Sequence, residues 1–252
     1  MAKPVIGIFD LTDCEGCEVE LLNSSHLLEI LTNLDIKHFR LGQGQNEWTD
    51  FDISFIEGTA MTSEEIRFVK EIRARSKLVI AMGTCACFGG IAALNNYHDT
   101  AAAKRRIYGD KADLFEMVHV KSLSDHIKVD GMIRGCPMVK EDLENLVSDA
   151  LAGRPLKEHA RPVCVDCKVR ETPCLLLQKT ACAGPATYGG CRAPCPAAGM
   201  PCDGCRGALE NPEMSNELEL LRKMASPEDI VRLFRKYAVN SKFFVDVGGD
   251  KK

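Results

Sequence analysis

Leu11-Thr12-Asp13-Cys14-Glu15-Gly16-Cys17-Glu18-Val19-Glu20-Leu21-Leu22 follows directly on an apolar run, Val5 to Phe9. It leads into a stretch with helical spacing: Val19, Leu21, Leu22, then Leu27, Leu28, Leu31 and Leu34. The order reads as a strand, a short loop carrying two thiols, and a helix. In an open α/β sheet, ligands bind beyond the carboxyl ends of the strands. Two cysteines at that place are either a redox dithiol or half of a metal site.

Further along, the same alternation repeats. Lys37 to Leu41 and Ile53 to Ile56 read as strands, the second ending in Glu57-Gly58-Thr59. Thr62-Ser63-Glu64-Glu65 opens a helix running to about Arg75, with acids in its first turn. Lys77 to Met82 is almost wholly apolar, as strands of buried parallel sheets are. It ends at Gly83-Thr84-Cys85. A strand is expected near Val118, an apolar segment Met132 to Gly135 leads to Cys136-Pro137, and Val139 to Leu151 is an amphipathic helix. This pattern predicts a flavodoxin-like, doubly wound parallel sheet over residues 1–152. Its strand ends would bring Cys14, Cys17, Cys85 and Cys136 to one edge, making a four-cysteine site without a local motif.

The character changes at Gly153-Arg154-Pro155, and residues 153–252 read as a Cys-rich, ferredoxin-like region with C-terminal helices. Eight cysteines are spaced Cys164-x2-Cys167-x6-Cys174-x7-Cys182-x8-Cys191-x3-Cys195-x6-Cys202-x2-Cys205, among many Gly and Pro. Such a stretch lacks the apolar content for a core of its own, so metal is expected to staple it. From Asn211 helical periodicity returns, with Leu218, Leu221, Met224, Ile230, Leu233, Phe234 and Tyr237.

Composition narrows the function. The chain has 252 residues, 45% of them hydrophobic, enough for a sizeable core. A net charge of −4 argues against a nucleic-acid partner, which calls for a basic face. No apolar run approaches the roughly 18 residues of a membrane span. The start, MAKPVIGIFD, enters a strand with no signal-peptide or twin-arginine stretch, so a cytoplasmic protein is expected. Thirteen cysteines in such a protein point to metal or catalysis rather than disulfides. Thirteen is three sets of four and one spare.

Several readings compete. Cys14-Glu15-Gly16-Cys17 alone suits a thioredoxin-like dithiol, but Cys85 and Cys136 at other strand ends favour a metal site. A flavin phosphate would meet Asp13 and Glu15 where it needs donors. A zinc ribbon wants two CxxC pairs about 15–20 residues apart, whereas here four further cysteines separate the outer pairs. Two iron–sulfur clusters use all eight tail cysteines, and Cys195-Pro196 resembles the cysteine–proline end of bacterial ferredoxin runs. How the eight divide between two clusters stays open. Cys87 reads as a small buried residue, and Lys104-Arg105-Arg106 as a solvated helix face. None of the six histidines is required as a ligand.

These motifs resemble those of [NiFe]-hydrogenase small subunits. CEGCEVELL (Cys14 to Leu22) is similar to their CxGCxxxLL, GTCACFGG (Gly83 to Gly90) to their GTCAxxGG, and Arg134-Gly135-Cys136-Pro137 to their later GCP. Glu57-Gly58 stands where the family has an acidic–glycine pair. CAGPATYGGCRAPCP (Cys182 to Pro196) and PCDGCRG (Pro201 to Gly207) resemble the cytosolic branch, which includes methyl-viologen-reducing and deazaflavin-reducing hydrogenases and sulfhydrogenases. There is no export signal and no His-led distal motif, and CxxC replaces the two adjacent cysteines of the related quinone-reductase subunit of respiratory complex I.

The resemblance implies an electron-transfer subunit without catalytic residues of its own. Cys14, Cys17, Cys85 and Cys136 would hold a proximal [4Fe–4S] cluster facing the Ni–Fe centre of a separate large subunit. Cys164, Cys167, Cys174, Cys182, Cys191, Cys195, Cys202 and Cys205 would hold two more. Electrons would pass on to a further flavin or iron–sulfur redox subunit. The alternatives are a quinone-reductase-type subunit and a free-standing iron–sulfur carrier.

Overall fold

The computed structural model describes residues 3–26, 32–154 and 160–248. Leu27, Leu28 and Leu31 of the first expected helix lie outside the described residues, as do Pro155 and His159. Five strands form one sheet: β1 (Val5–Asp10), β2 (Asp35–Phe39), β3 (Phe51–Glu57), β4 (Ser76–Met82) and β5 (Gly131–Ile133). All neighbouring strands are parallel, in the order β2-β1-β3-β4-β5. The order reverses between β1 and β3, and the loop after β1, with Cys14 and Cys17, lies at that switch point.

Alternating side chains serve the two faces of the sheet. Ile6, Ile8, Ile53, Phe55, Ile80 and Met82 pack under α1 (Gly16–Leu22) and the helix over Lys140–Leu151. Phe9, Ile56, Val79 and Ala81 turn the other way, under α2 (Ser63–Ala74) with Val69 and Ile72. Thr62 caps α2 in a closed capping box with Glu65. α3 (Gly83–Phe88) follows β4 without a break, and α4 (Thr100–Tyr108) begins an outlying arm. The Lys140–Leu151 helix is α5.

Three expectations need correction. β2 ends at Phe39 rather than Leu41, because the Gly42 and Gln43 N–H groups turn back onto the Phe39 carbonyl. β5 stops at Ile133, because the Gly135 carbonyl accepts from Thr84 N–H instead of extending the ladder. No strand forms near Val118. That segment is tied by single bonds, Val118 N–H to the Met61 carbonyl and Val120 to the Asn96 side chain, so it runs as a loop.

The cysteine-rich stretch has two short helices, α6 (Val163–Val169) and α7 (Pro194–Ala197), joined by tight turns. Two helices follow, α8 (Met214–Leu221) and α9 (Pro227–Arg235). The tail does not stand apart from the sheet. Ala183, Ala186, Ala208, Leu221, Ile230, Phe234 and Phe244 share one apolar cluster with Phe9, Ile56 and Val79. Among the described residues no helix is long and apolar enough to cross a membrane.

Candidate functional site

The first site is built by the ends of β1, β3 and β4. Beyond β1, the Asp13 carboxylate accepts from Glu15 N–H, and Glu15 takes a left-handed conformation that starts α1 at Gly16. The Glu57 carboxylate, at the end of β3, accepts from Cys17 N–H at 3.0 Å and Glu18 N–H at 2.8 Å. It thereby fills the open N–H groups of a helix start and fixes where the Cys17 sulfur points. That sulfur accepts from Met138 N–H at 3.4 Å. Gly83, at φ 81°, leaves room for it: a Cβ there would stand 2.4 Å from Cys17 Sγ. Gly90, at φ 59°, does the same for Cys85, whose sulfur lies 2.5 Å from the Cβ position. Gly83 and Gly90 of the GTCACFGG segment are thus shaped around sulfur atoms.

Cys14, Cys17, Cys85 and Cys136 come together here. Burial pushes the Cys85 thiol up to about 12, helped by the nearby Cys136 and Cys14. Burial raises Cys136, with Cys14 adding to it, and raises Cys17 far more, with Glu57 adding to it. Cys17 is buried, while Cys14 and Cys136 face outward. The acids around them are themselves shifted by burial, Asp13 to about 6 and Glu18 to about 8. Glu18 is fully buried, and no hydrogen bond reaches either carboxylate oxygen.

In the tail, the eight cysteines fall into two neighbourhoods. Burial lifts Cys164 to about 11, assisted by Cys182, Cys167 and Cys174. The Gly184 Cβ position is 3.4 Å from Cys182 Sγ and 3.7 Å from Cys164 Sγ. Cys191, Cys195, Cys202 and Cys205 line a cavity of about 290 Å³ together with Cys136 of the first site. Cys182 links the two groups, its sulfur accepting from Cys202 N–H at 3.3 Å. The Thr84 hydroxyl, next to Cys85, donates to the Cys205 carbonyl at 2.6 Å. Burial pushes Cys205 to about 11 against a bond from Cys136 N–H.

A thiol in such surroundings resists ionisation, since burial and its fellow thiolates both oppose the charge. Bound iron reverses that balance, because a coordinating thiol loses its proton outright. None of the thirteen cysteines is in a disulfide. Among the described residues no three His, Cys, Asp or Glu side chains converge on single-ion distance. A cluster of four irons and four sulfides holds its four thiolates farther apart, and the all-cysteine donor set, the sulfur-shaped glycines and the cavity fit it.

Reading the sequence missed the residues that hold these sites. Arg206 is buried and donates to the Gly189 carbonyl, the Arg134 carbonyl and Asp142 of α5 at 2.9, 2.7 and 2.8 Å. Asp166 in α6 accepts from Gly190 N–H at 2.6 Å and Arg192 N–H at 3.1 Å and pairs with Arg161. Their one sequence signal is a charged residue directly beside a cysteine. Cys87 lies in the core, its thiol 3.7 Å from the Ala81 carbonyl.

The family model of the NADH ubiquinone oxidoreductase 20 kDa subunit matches residues 14–150. Sulfhydrogenase 2 subunit delta of Pyrococcus furiosus is 34% identical over 235 residues, which is 92% of this chain and 98% of that protein. The chain belongs to the [NiFe]-hydrogenase small-subunit family. A vhu subunit of the F420-non-reducing hydrogenase of Methanocaldococcus jannaschii is 33% identical, covering 81% of this chain and 82% of that one. These matches extend past residue 150 into the cysteine-rich tail, beyond the segment shared with the quinone-reductase model. The fold agrees with the actinobacterial-type NiFe-hydrogenase of Ralstonia eutropha, at a TM-score of 0.62, 15% identity, and 99% and 92% of the two chains. As a hydrogenase small subunit, the chain is an iron–sulfur electron-transfer component of an oxidoreductase acting on hydrogen. The hydrogen-cleaving Ni–Fe site belongs to the large subunit with which it pairs.

Proposed function

We propose that the chain is a three-cluster relay in a cytoplasmic hydrogenase, conducting electrons from the large subunit's Ni–Fe centre to a further flavin or iron–sulfur subunit. When bound, each [4Fe–4S] cluster supplies a one-electron carrier. Cys14, Cys17, Cys85 and Cys136 would hold the proximal one. Cys191, Cys195, Cys202 and Cys205 would hold the middle one, and Cys164, Cys167, Cys174 and Cys182 the outer one. The first domain, residues 1–152, carries the proximal set, and residues 153–252 carry the other two.

The observation that carries this reading is the cavity shared by Cys136 and the 191–205 set. It supports direct succession between the first site and the middle one. Backbone N–H groups directed at Cys17 and Cys182 favour the charged form of a ligated sulfur, which raises a cluster's potential. The outward faces of Cys14 and Cys136 suit a large subunit that closes over them. At the far end, Cys174 is exposed between Val169 and Leu177, which are 81% and 86% exposed. Apolar groups left bare beside a terminal carrier suit a downstream partner. Thirteen cysteines with no disulfide among them suit a reducing compartment.

The test is metal analysis of the anaerobically purified complex. This chain should account for about twelve iron and about twelve sulfide. A value of about eight, or substantial zinc, overturns the assignment of the tail.

A further inference from the structure

Glu217 has no part in holding any cysteine, yet it is buried where a carboxylate is costly. It sits in α8, 6% exposed, and its Oε1 has no hydrogen-bond partner. It opens onto a cavity of about 290 Å³ lined by Pro185, Ala186, Glu213, Asn216 and Leu220. Glu213 and Asn216 are exposed, so the cavity meets solvent on that side. The inner wall is the Gly184–Ala186 turn, whose other side meets the sulfurs of Cys182 and Cys164. One turn of chain therefore separates a buried carboxyl with an unpartnered oxygen from two thiols of the outer set. An unpaired buried charge costs several kcal/mol, and a group so placed neutralises instead.

We infer that Glu217 is a redox-linked proton site: its carboxyl takes up one proton from solvent when the cluster held by Cys164, Cys167, Cys174 and Cys182 gains one electron, and releases it when the electron leaves. This rests on the relay reading above. The electron comes from the neighbouring cluster of the relay, and the proton enters by way of the cavity. One O–H bond forms at Glu217, and the charge of the carboxyl and cluster together stays constant through the cycle.

Electrostatics sets the direction. Burial raises the carboxyl to about 7, so a modest added field moves its proton near neutral pH. The charge of Glu217 in turn raises Cys164 and Cys182. An extra electron on the cluster repels the carboxylate and draws the proton on. Among the described residues, the ionisable groups placed against Glu217 are those two thiols across the turn and Glu213 at the mouth, and none of the three can carry a positive charge.

The experiment is a redox titration of the whole hydrogenase complex followed by electron paramagnetic resonance, across roughly pH 6 to 9. Cys174→Ala identifies the outer cluster by the signal it removes. In wild type that signal's midpoint potential should fall with pH, approaching a tenfold change in the reduction equilibrium per unit, about 59 mV. Glu217→Gln should flatten this slope and leave the other two clusters' pH profiles unchanged. Parallel profiles in wild type and Glu217→Gln overturn the inference. If Cys174→Ala removes no signal, the relay's ligand set fails instead. Should Glu217→Gln lose its iron, wild-type infrared difference spectra decide alone: reduction must produce a protonated-carboxyl band, and its absence overturns the proposal.

Discussion

Cys85 and Cys87 stand two residues apart in one short helix and have opposite surroundings. Cys85 faces Cys14 and Cys136 across the first site, whereas Cys87 points into the core at two backbone carbonyls. Cys85→Ser should therefore remove about four iron from the purified complex and extinguish the proximal signal. Cys87→Ser should leave iron content unchanged and cost only the stability of a mildly polar swap, about 1 kcal/mol. Iron analysis and thermal melting check both. A Cys87 variant that loses a cluster while the Cys85 variant keeps it would reverse the ligand choice. The sequence already separated these two, because Cys85 ends the strand segment and Cys87 exceeds a count of twelve. It did not disclose the role of Glu57. That carboxylate meets Cys17 and Glu18 across 40 and 39 positions of chain, and only the pairing of β1 with β3 brings them together.

The strands and helices were legible wherever burial writes a simple pattern. KLVIAM is buried along most of its length and Thr62-x-x-Glu65 closes its box, so β4 and α2 lie nearly where their residues predict. Where single hydrogen bonds decide, as around Val118, the pattern carried no information. The join between sheet and tail was equally hidden. It depends on Arg206, which binds carbonyls of two distant loops and an acid of α5. Arg206→Met keeps much of the side chain's length and removes all three bonds, leaving the buried Gly189 carbonyl and the part-buried Arg134 carbonyl each short of one donor. The loss should be about 3 kcal/mol. We expect limited proteolysis to cut the variant between Cys182 and Cys205 much faster than wild type, while the sheet stays protected. Equal cutting rates would show that apolar packing alone holds the tail.

Hydrogen cleavage and conduction occupy different chains, so they should be separable in the assembled enzyme. Hydrogen–deuterium exchange requires no electron to leave the large subunit. Reduction of the physiological acceptor requires every carrier between the subunits. Cys205→Ala should keep a good part of the exchange activity and lose most hydrogen-dependent reduction of the natural acceptor, on the order of tenfold or more. A small artificial dye is unsuitable, since it can take electrons from a carrier upstream of the lesion. Co-purification with the large subunit must be shown first. If the variant assembles and reduces its acceptor at the wild-type rate, the tail is not the path of the electrons.

The apolar cluster that joins sheet and tail has a consequence for biosynthesis. Phe234, Phe244 and Val247 belong to that cluster, and they come near the end of the chain. On the ribosome the sheet and all thirteen cysteines emerge before them. Until they arrive, the apolar cluster that joins the tail to the sheet is incomplete. The sheet can thus assemble first, and the cysteine-rich segment is held against it only once Phe234 and Phe244 have been made.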